Sequence, residues 1–139
     1  MKTTLIFSFL VSIIVIAGSC ERAGGTDAST SQVVASGSWK VTLFSDSGND
    51  ETTDYTGYTF TFNSGGTLAA VKNGVTTNGT WNVNSSSGKF NISLGPKIDA
   101  NKPIGELTDD WKILSNTTTV IRLTDDNASS NELLTFTKN

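Results

Sequence analysis

Apolar and polar residues alternate along most of the chain beyond residue 36. Trp39, Val41 and Leu43 are separated by Lys40 and Thr42, and the same period of two recurs at 58–62 and 90–94. A period of two places successive side chains on opposite faces of a strand, so each segment is predicted to be a strand with one buried face. Weaker alternation predicts five more strands, at 67–72, 75–83, 111–115, 119–124 and 133–138.

The connections between these strands predict their topology. Most are short and rich in Asn, Gly, Ser and Asp, and Asn73-Gly74 is the sharpest hairpin signal. Short connections make consecutive strands antiparallel neighbours, and an open sheet of this kind would expose its apolar face and two edges. We therefore expect an all-β domain, a single small antiparallel up-and-down barrel of about eight strands with no core helix. The longer connections are 45–56 and 95–106.

The first twenty residues have the pattern of a lipoprotein export signal. Lys2 precedes an apolar run from Leu5 to Ile16, and the small residues 17–19 lead into Cys20, the only cysteine. The run is shorter than the ~20 residues of a membrane span. Residues 1–19 are predicted to be removed and Cys20 to be acylated, which accounts for an unpaired thiol in an exported chain. The alternative is a general secretory signal cut elsewhere, with Cys20 an ordinary small residue.

The segment after the signal is small and polar in composition. Residues 20–35 are predicted to be a flexible linker between the acylated cysteine and a domain at 36–139. Two or three acyl chains of the palmitate type would hold such a protein on a membrane without a spanning segment. About 100 residues suffice for one compact domain.

Charge and residue inventory exclude several function classes. Without residues 1–19 the formal charge is −4 rather than −3, and the lysines are scattered singly, which disfavours nucleic-acid binding. The chain has no histidine, and its one cysteine is assigned to lipid, so histidine-based triads, thiol chemistry and histidine-ligated zinc are excluded. The adjacent pairs Asp109-Asp110 and Asp125-Asp126 are interpreted as solvated turn residues. We expect neither an enzyme nor a cofactor.

The acidic loop 46–54 is the best metal candidate in the sequence. It offers four carboxylates with Ser and Asn oxygens, ligands that calcium accepts, but its spacing is not that of an EF-hand. A hydrophilic connection between the first two strands is the more economical interpretation, and a lid over the barrel mouth is a third. No metal site is predicted with any specificity.

The domain resembles the lipocalin-like domains of lipoproteins from Bacteroidetes-type bacteria. The resemblance covers most of 36–139 and depends on the order of four motifs. These are Gly37-Ser38-Trp39, Phe62-Asn63-Ser64-Gly65-Gly66-Thr67, Gly79-Thr80-Trp81 and Leu134-Thr135-Phe136-Thr137-Lys138. It implies a lipid-anchored protein of the cell envelope, in the outer membrane of a Gram-negative bacterium.

The same resemblance implies roles for particular residues. In lipocalins the first Trp plugs the closed end of the barrel beneath a basic side chain from a late strand, which makes Trp39 the plug and Arg122 its partner, with Lys138 as the fallback. A small hydrophobic or amphipathic ligand would contact the inward aromatic residues. They are Trp39, Tyr58, Phe60, Phe62, Trp81, Phe90 and Trp111. The alternative is that these rings fill the core and that the domain is a structural or interaction module of an envelope assembly.

Overall fold

The computed structural model describes residues 26–84 and 86–139, with side chains from residue 30 onward. It contains one α-helix, α1 (Thr26–Val34), and nine β-strands. The strands are β1 (Ser38–Asp46), β2 (Asn49–Asp50), β3 (Thr59–Phe62), β4 (Thr67–Lys72), β5 (Val75–Asn84), β6 (Lys89–Ser93), β7 (Asp109–Asn116), β8 (Val120–Thr124) and β9 (Leu133–Lys138). Three short 3₁₀ turns occupy the two long connections, at Thr52–Tyr55, Asp99–Asn101 and Ile104–Leu107.

Eight of the strands form a closed antiparallel barrel. The order is β1, β3, β4, β5, β6, β7, β8, β9, and β9 pairs back onto β1 to close the circle. The short β2 pairs with the end of β1 only. The predicted up-and-down barrel of eight strands is confirmed, and closure removes the sheet edges that an open meander would expose.

Alternation in the sequence becomes alternation of burial in the strands. In β3 the rings of Phe60 and Phe62 are completely buried, while Thr59 and Thr61 are half-buried on the outer side. Cross-strand pairing places Phe60 opposite Ala70 and Phe62 opposite Leu68 in β4, so that the inward faces of the two strands coincide. Each of the eight barrel strands thus contributes at least one buried apolar side chain to one core.

Bulges change the inward face of two strands. The pairing of β1 with β9 shifts between Val41 and Leu43, after which Phe44 is buried and Leu43 only partly so. A strict period of two predicts the reverse, and the extra residue at the bulge is the reason. A similar shift in β7 between Ile113 and Ser115 leaves Ser115 exposed and Asn116 half-buried, again the reverse of a strict period of two from Trp111.

The helix α1 lies within the segment expected to be a flexible linker, so the structure differs from that expectation between residues 26 and 34. Val34, the last residue of α1, is completely buried in the same core as the strands. Thr30 and Val34, which precede the predicted start of the domain at residue 36, are therefore covered by it. Burial of an apolar side chain offsets the ordering of a polar segment that has little helical propensity of its own.

The barrel has two ends, which we name by what covers them. At the base end lie α1 and the turn residues 63–66, 86–88 and 117–119. At the mouth end lie the connections 47–58 and 94–108, which contain the 3₁₀ turns, together with the hairpin 73–74 and the β8–β9 connection 125–132. Both ends are covered, so the aromatic residues of the strands lie in an interior closed above and below.

Candidate functional site

Side chains fill the interior of the barrel. Of the seven aromatic residues predicted to contact a ligand, six are buried at 6% exposure or less, and Tyr58 alone is half-buried at the rim. The buried six are Trp39, Phe60, Phe62, Trp81, Phe90 and Trp111.

Phe62 stands at the centre of this aromatic packing. Its ring centroid lies 5.6 Å from that of Trp81, 5.5 Å from that of Phe90 and 5.4 Å from that of Phe136. These are the distances of edge-to-face and tilted pairs in direct contact. The rings meet one another across the barrel, and the structure brings the predicted set together as a packed core.

Trp39 closes the base end through α1. Its indole N–H donates a hydrogen bond to the carbonyl oxygen of Val34 at 2.9 Å, and both residues are completely buried. The basic side chain beside it is that of Lys138, whose Nζ lies 5.7 Å from the indole centroid and donates to the hydroxyl of Ser36 at 3.0 Å. The expectation that Arg122 lies across Trp39 is wrong. Arg122 is exposed, because period two turns it away from the buried Ile121 and Leu123 that flank it.

Trp111 closes the mouth end in the same way. Its indole N–H donates to the carbonyl oxygen of Leu107 at 3.0 Å, and Leu107 ends the 3₁₀ turn Ile104–Leu107. Beside it the Tyr55 hydroxyl donates to the Pro103 carbonyl oxygen at 2.9 Å and links the two long connections. Burial, reinforced by the carboxylate of Glu106, raises the pKa of Tyr55 far above its ordinary value, so the hydroxyl remains a donor.

Grooves lie on the outside of this core, and two of the larger ones are formed by residues that the structure describes. One, of about 370 Å³, runs between β1 and the start of β3, where Lys40 and Val41 face Tyr58 and Asn139. It exists because β1 pairs with β3 at only two positions, Ser38 and Trp39. The Nζ of Lys72 lies 4.7 Å from the centroid of the Tyr58 ring near this groove.

The second groove lies between α1 and β5 at the base end. It measures about 430 Å³ and is lined by Ser31, Gln32, Ala35, Ser64 and the edge of Trp81. The Trp81 N–H is already engaged, donating to the Asn63 carbonyl oxygen at 2.9 Å. The floor of this groove is therefore largely an apolar surface.

Carboxylates from the start of β7 and from the two ends of the β8–β9 connection converge at the mouth end. Asp109, Asp125 and Glu132 each bring an oxygen within 4.8 Å of the others. Lys97 holds the cluster together, with its Nζ 2.5 Å from Asp109 and 3.9 Å from Glu132. Burial raises the pKa of Glu132 although Lys97 opposes the shift. One Glu132 oxygen is buried without a hydrogen-bond partner.

The acidic loop 46–54 and the adjacent aspartate pairs have other roles in the structure than those considered from the sequence. Among the described residues, no three carboxylates of the loop 46–54 come close enough to share a cation. This loop instead forms β2 and a 3₁₀ turn, and it buries Tyr55 over the mouth. Within the adjacent pairs the two members point apart, since Asp110 and Asp126 both accept hydrogen bonds from Lys89 outside the cluster. No sequence signal connects Asp109, at the start of β7, with Asp125 and Glu132, at the two ends of the β8–β9 connection.

The predicted signal at 1–19 and the predicted acylation site Cys20 lie outside the described residues. Within the part that the structure describes, no helix has the length and apolar character needed to cross a membrane.

Comparison with known proteins finds similarity in structure only. No protein-family model matches the chain, and no curated protein matches it. A solved structure of a DUF4847 family protein from Bacteroides vulgatus superposes with a TM-score of 0.59 at 19% identity, covering 79% of this chain and 97% of that one. A protein from Burkholderia xenovorans gives a TM-score of 0.49 at 18% identity, covering 80% of this chain and 87% of that one. The chain shares the barrel fold of the Bacteroides protein.

Proposed function

We propose that this protein is a non-enzymatic interaction module of the cell envelope, held on a membrane by acylation of Cys20. Its lipocalin-like barrel serves as a rigid scaffold whose outer surface and connections contact another envelope component. The barrel interior carries no cargo.

The packed interior is the observation that supports this function over transport of a ligand. A carrier needs a concave, mostly preformed cavity of roughly 300 Å³ or more. Here the ring of Phe62 touches three other aromatic rings, and Trp39 and Trp111 are each bonded to the segment that covers their end. Entry of a molecule would require loss of one such hydrogen bond and displacement of packed rings.

Native mass spectrometry of the acyl-free Cys20→Ser chain tests the absence of cargo. We expect the bare polypeptide mass from several expression hosts. A small molecule that copurifies and is lost on substitution of Phe62 would contradict the proposal. The chain must retain residues 26–35, because Trp39 bonds to Val34.

Cell fractionation tests the anchor separately. The unmodified protein is expected in the membrane fraction and the Cys20→Ser variant in the soluble fraction, because the acyl chains supply the membrane affinity. The matched control is Ser36→Ala, which changes an exposed residue and leaves the signal and Cys20 intact, so it should stay in the membrane fraction. Equal membrane retention of Cys20→Ser would show that lipid at this position does not hold the protein.

The groove beside Tyr58 favours a second candidate function, binding of a small amphipathic ligand on the outside of the barrel. A half-buried ring with Lys40 and Lys72 nearby combines an apolar surface with positive charge. In the same mass spectra, a bound molecule that is lost on Tyr58→Ser and retained on Phe62→Leu would support this candidate. Retention of the molecule in both variants would count against it.

A further inference from the structure

The two ends of the barrel differ sharply in charge. All eleven carboxylate side chains between residues 30 and 139 lie at the mouth end, within the segments 46–54, 99–106, 109–110 and 125–132. Four lysines lie among them or at their border. Lys89, Lys97 and Lys102 form salt bridges with these acids, and Lys72 lies over Tyr58. The mouth end therefore carries a strong negative excess.

Among the described residues, the base end carries no carboxylate side chain. Its turn residues 63–66, 86–88 and 117–119 are only Asn, Ser, Gly and Thr. The charged groups on the strand residues beside these turns are Lys40, Lys89, Arg122 and Lys138, together with the terminal carboxylate of Asn139, and Lys89 reaches Asp110 and Asp126. Asp27, in the first turn of α1, has a side chain outside the described set.

Chain length adds a second, independent constraint. From Cys20 to Thr26, where α1 begins, the chain advances six residues, which span at most about 20 Å when fully extended. β1 runs for nine residues from the base end to the mouth end, about 30 Å of strand at the usual rise per residue, or roughly 23 Å along the axis of a barrel whose strands have the usual tilt. A tether attached at the base end would therefore have to be fully extended along the barrel wall to place the mouth end on the same surface.

We propose that the base end faces the bilayer and that the acidic mouth end points away from it. This orientation rests on the proposed acylation of Cys20. It makes the neutral turns the surface that contacts phospholipid headgroups, and it leaves the carboxylates as the surface presented to everything else in the envelope.

Electrostatics and tether length both favour the orientation with the base end on the membrane. An anionic leaflet repels carboxylates and attracts lysines, but only within a few Debye lengths, each about 8 Å at physiological ionic strength. With the base end on the membrane, the acids lie beyond that range. With the barrel inverted, eleven carboxylates would approach the headgroups and the tether would have to be fully extended.

Fluorescence quenching from the bilayer surface tests the orientation. The acylated full chain is reconstituted in vesicles of phosphatidylethanolamine and phosphatidylglycerol that contain a lipid with a nitroxide headgroup. A thiol-reactive fluorophore is placed in one variant at Thr118→Cys, in the β7–β8 turn of the base end. In the other it is placed at Ala128→Cys, in the β8–β9 connection of the mouth end. Both positions are exposed.

The base-end label is expected to be quenched several-fold more strongly than the mouth-end label. Equal or reversed quenching in protein that floats with the vesicles would overturn the orientation and leave the anchor standing. Failure to float would show that the protein is not anchored, and labelling of Cys20 in the unsubstituted protein would show a free thiol. Either result would overturn both the anchor and the orientation. Circular dichroism of each variant confirms that the barrel is intact before the comparison is made.

Discussion

The base end and the mouth end of the barrel are closed by the same kind of contact in opposite surroundings. At the base, Trp39 donates its indole hydrogen to Val34, the last residue of α1. At the mouth, Trp111 donates to Leu107, the last residue of a 3₁₀ turn. One covering segment lies among uncharged turns and the other among carboxylates. Closure of each end therefore depends on a hydrogen bond from an indole N–H to a carbonyl oxygen. It does not depend on the charge of the surrounding residues, which differs between the ends.

Tryptophan suits this task because it combines a large apolar ring with a single donor. The last carbonyl groups of a helix or turn have no partner within that element, and an unpaired buried carbonyl is costly. An indole that belongs to the core can satisfy the carbonyl without bringing water inside. The covering segment is then held by one hydrogen bond and by the burial of its own apolar residue.

The largest expected effect concerns α1 at the base end. Val34→Asp places a carboxylate at a completely buried position in the apolar core. We expect a loss of about 3–5 kcal/mol in the free energy of unfolding, typical of an uncompensated buried charge. Urea denaturation followed by circular dichroism measures it.

The matched control is Gln32→Asp, two residues earlier in α1 and exposed. It adds the same charge without burying it and is expected to change stability by less than about 0.5 kcal/mol. If Val34→Asp lowered the free energy of unfolding no more than the control, α1 would be a loosely attached tether instead of part of the domain. The two ends would then not be closed in the same way.

The two indole hydrogen bonds are predicted to contribute independently. Trp39→Phe and Trp111→Phe each keep a large ring but leave a buried carbonyl oxygen without its donor, at a cost of about 1–3 kcal/mol. Because the substitutions lie at opposite ends, their effects should add to within about 0.5 kcal/mol in the double variant. Denaturation curves of the four proteins test this. A strong coupling between the two would show that the ends open together.

Charge at the mouth end yields a smaller and pH-dependent prediction. Burial raises the pKa of Glu132, so its contribution to stability is present below the unfolded pKa and is lost as the pH rises through the folded value. Glu132→Gln avoids this loss. We expect it to stabilise the protein by about 0.5–1 kcal/mol at pH 7, with the gain disappearing near pH 4. Urea denaturation at the two pH values measures the difference.

Glu106→Gln provides the control for this prediction. The Glu106 side chain is covered to a similar extent, at 20% exposure against 15% for Glu132, and its carboxylate lies 3.7 Å from Lys102. Removing its charge should give no gain at pH 7. A gain of the same size in both variants would point to general repulsion among the acids of the mouth end and away from burial of Glu132.

How far the sequence predicts this fold depends on the range of the interactions involved. The strands follow from local alternation, and the hairpin at Asn73-Gly74 forms where the sequence indicates, with both residues at positive φ. The bulge after Val41 leaves no local trace, since Leu43 and Phe44 are both apolar and pairing with β9 decides which is buried. The barrel was therefore predictable, but not the inward face of each strand.

Two features depend on contacts between distant parts of the chain. The residues of α1 are small and polar, and their helix is stabilised by packing of Val34 beneath Trp39. The cluster of Asp109, Asp125 and Glu132 joins the first residue of β7 to the two ends of the β8–β9 connection, and Lys97 comes from the connection before β7. Local pattern analysis detects neither, because each forms only when the barrel closes.

The smallest predicted effect concerns the choice between two basic residues at the base end. Lys138→Met removes the cation 5.7 Å from the Trp39 ring and its hydrogen bond to Ser36, and is expected to cost about 0.5 kcal/mol, the lower range for a cation over an aromatic ring. Arg122→Met changes an exposed side chain on β8 and should leave the midpoint of urea denaturation unchanged.

Lys138 also crowds Gly37, because its Cε lies 2.9 Å from the position of an added Cβ. Gly37→Ala should therefore lower the free energy of unfolding by less when it is combined with Lys138→Ala. Persistence of the full Gly37→Ala penalty in that double variant would assign it to the positive φ of Gly37 alone, and the lysine would then have no part in closing this end.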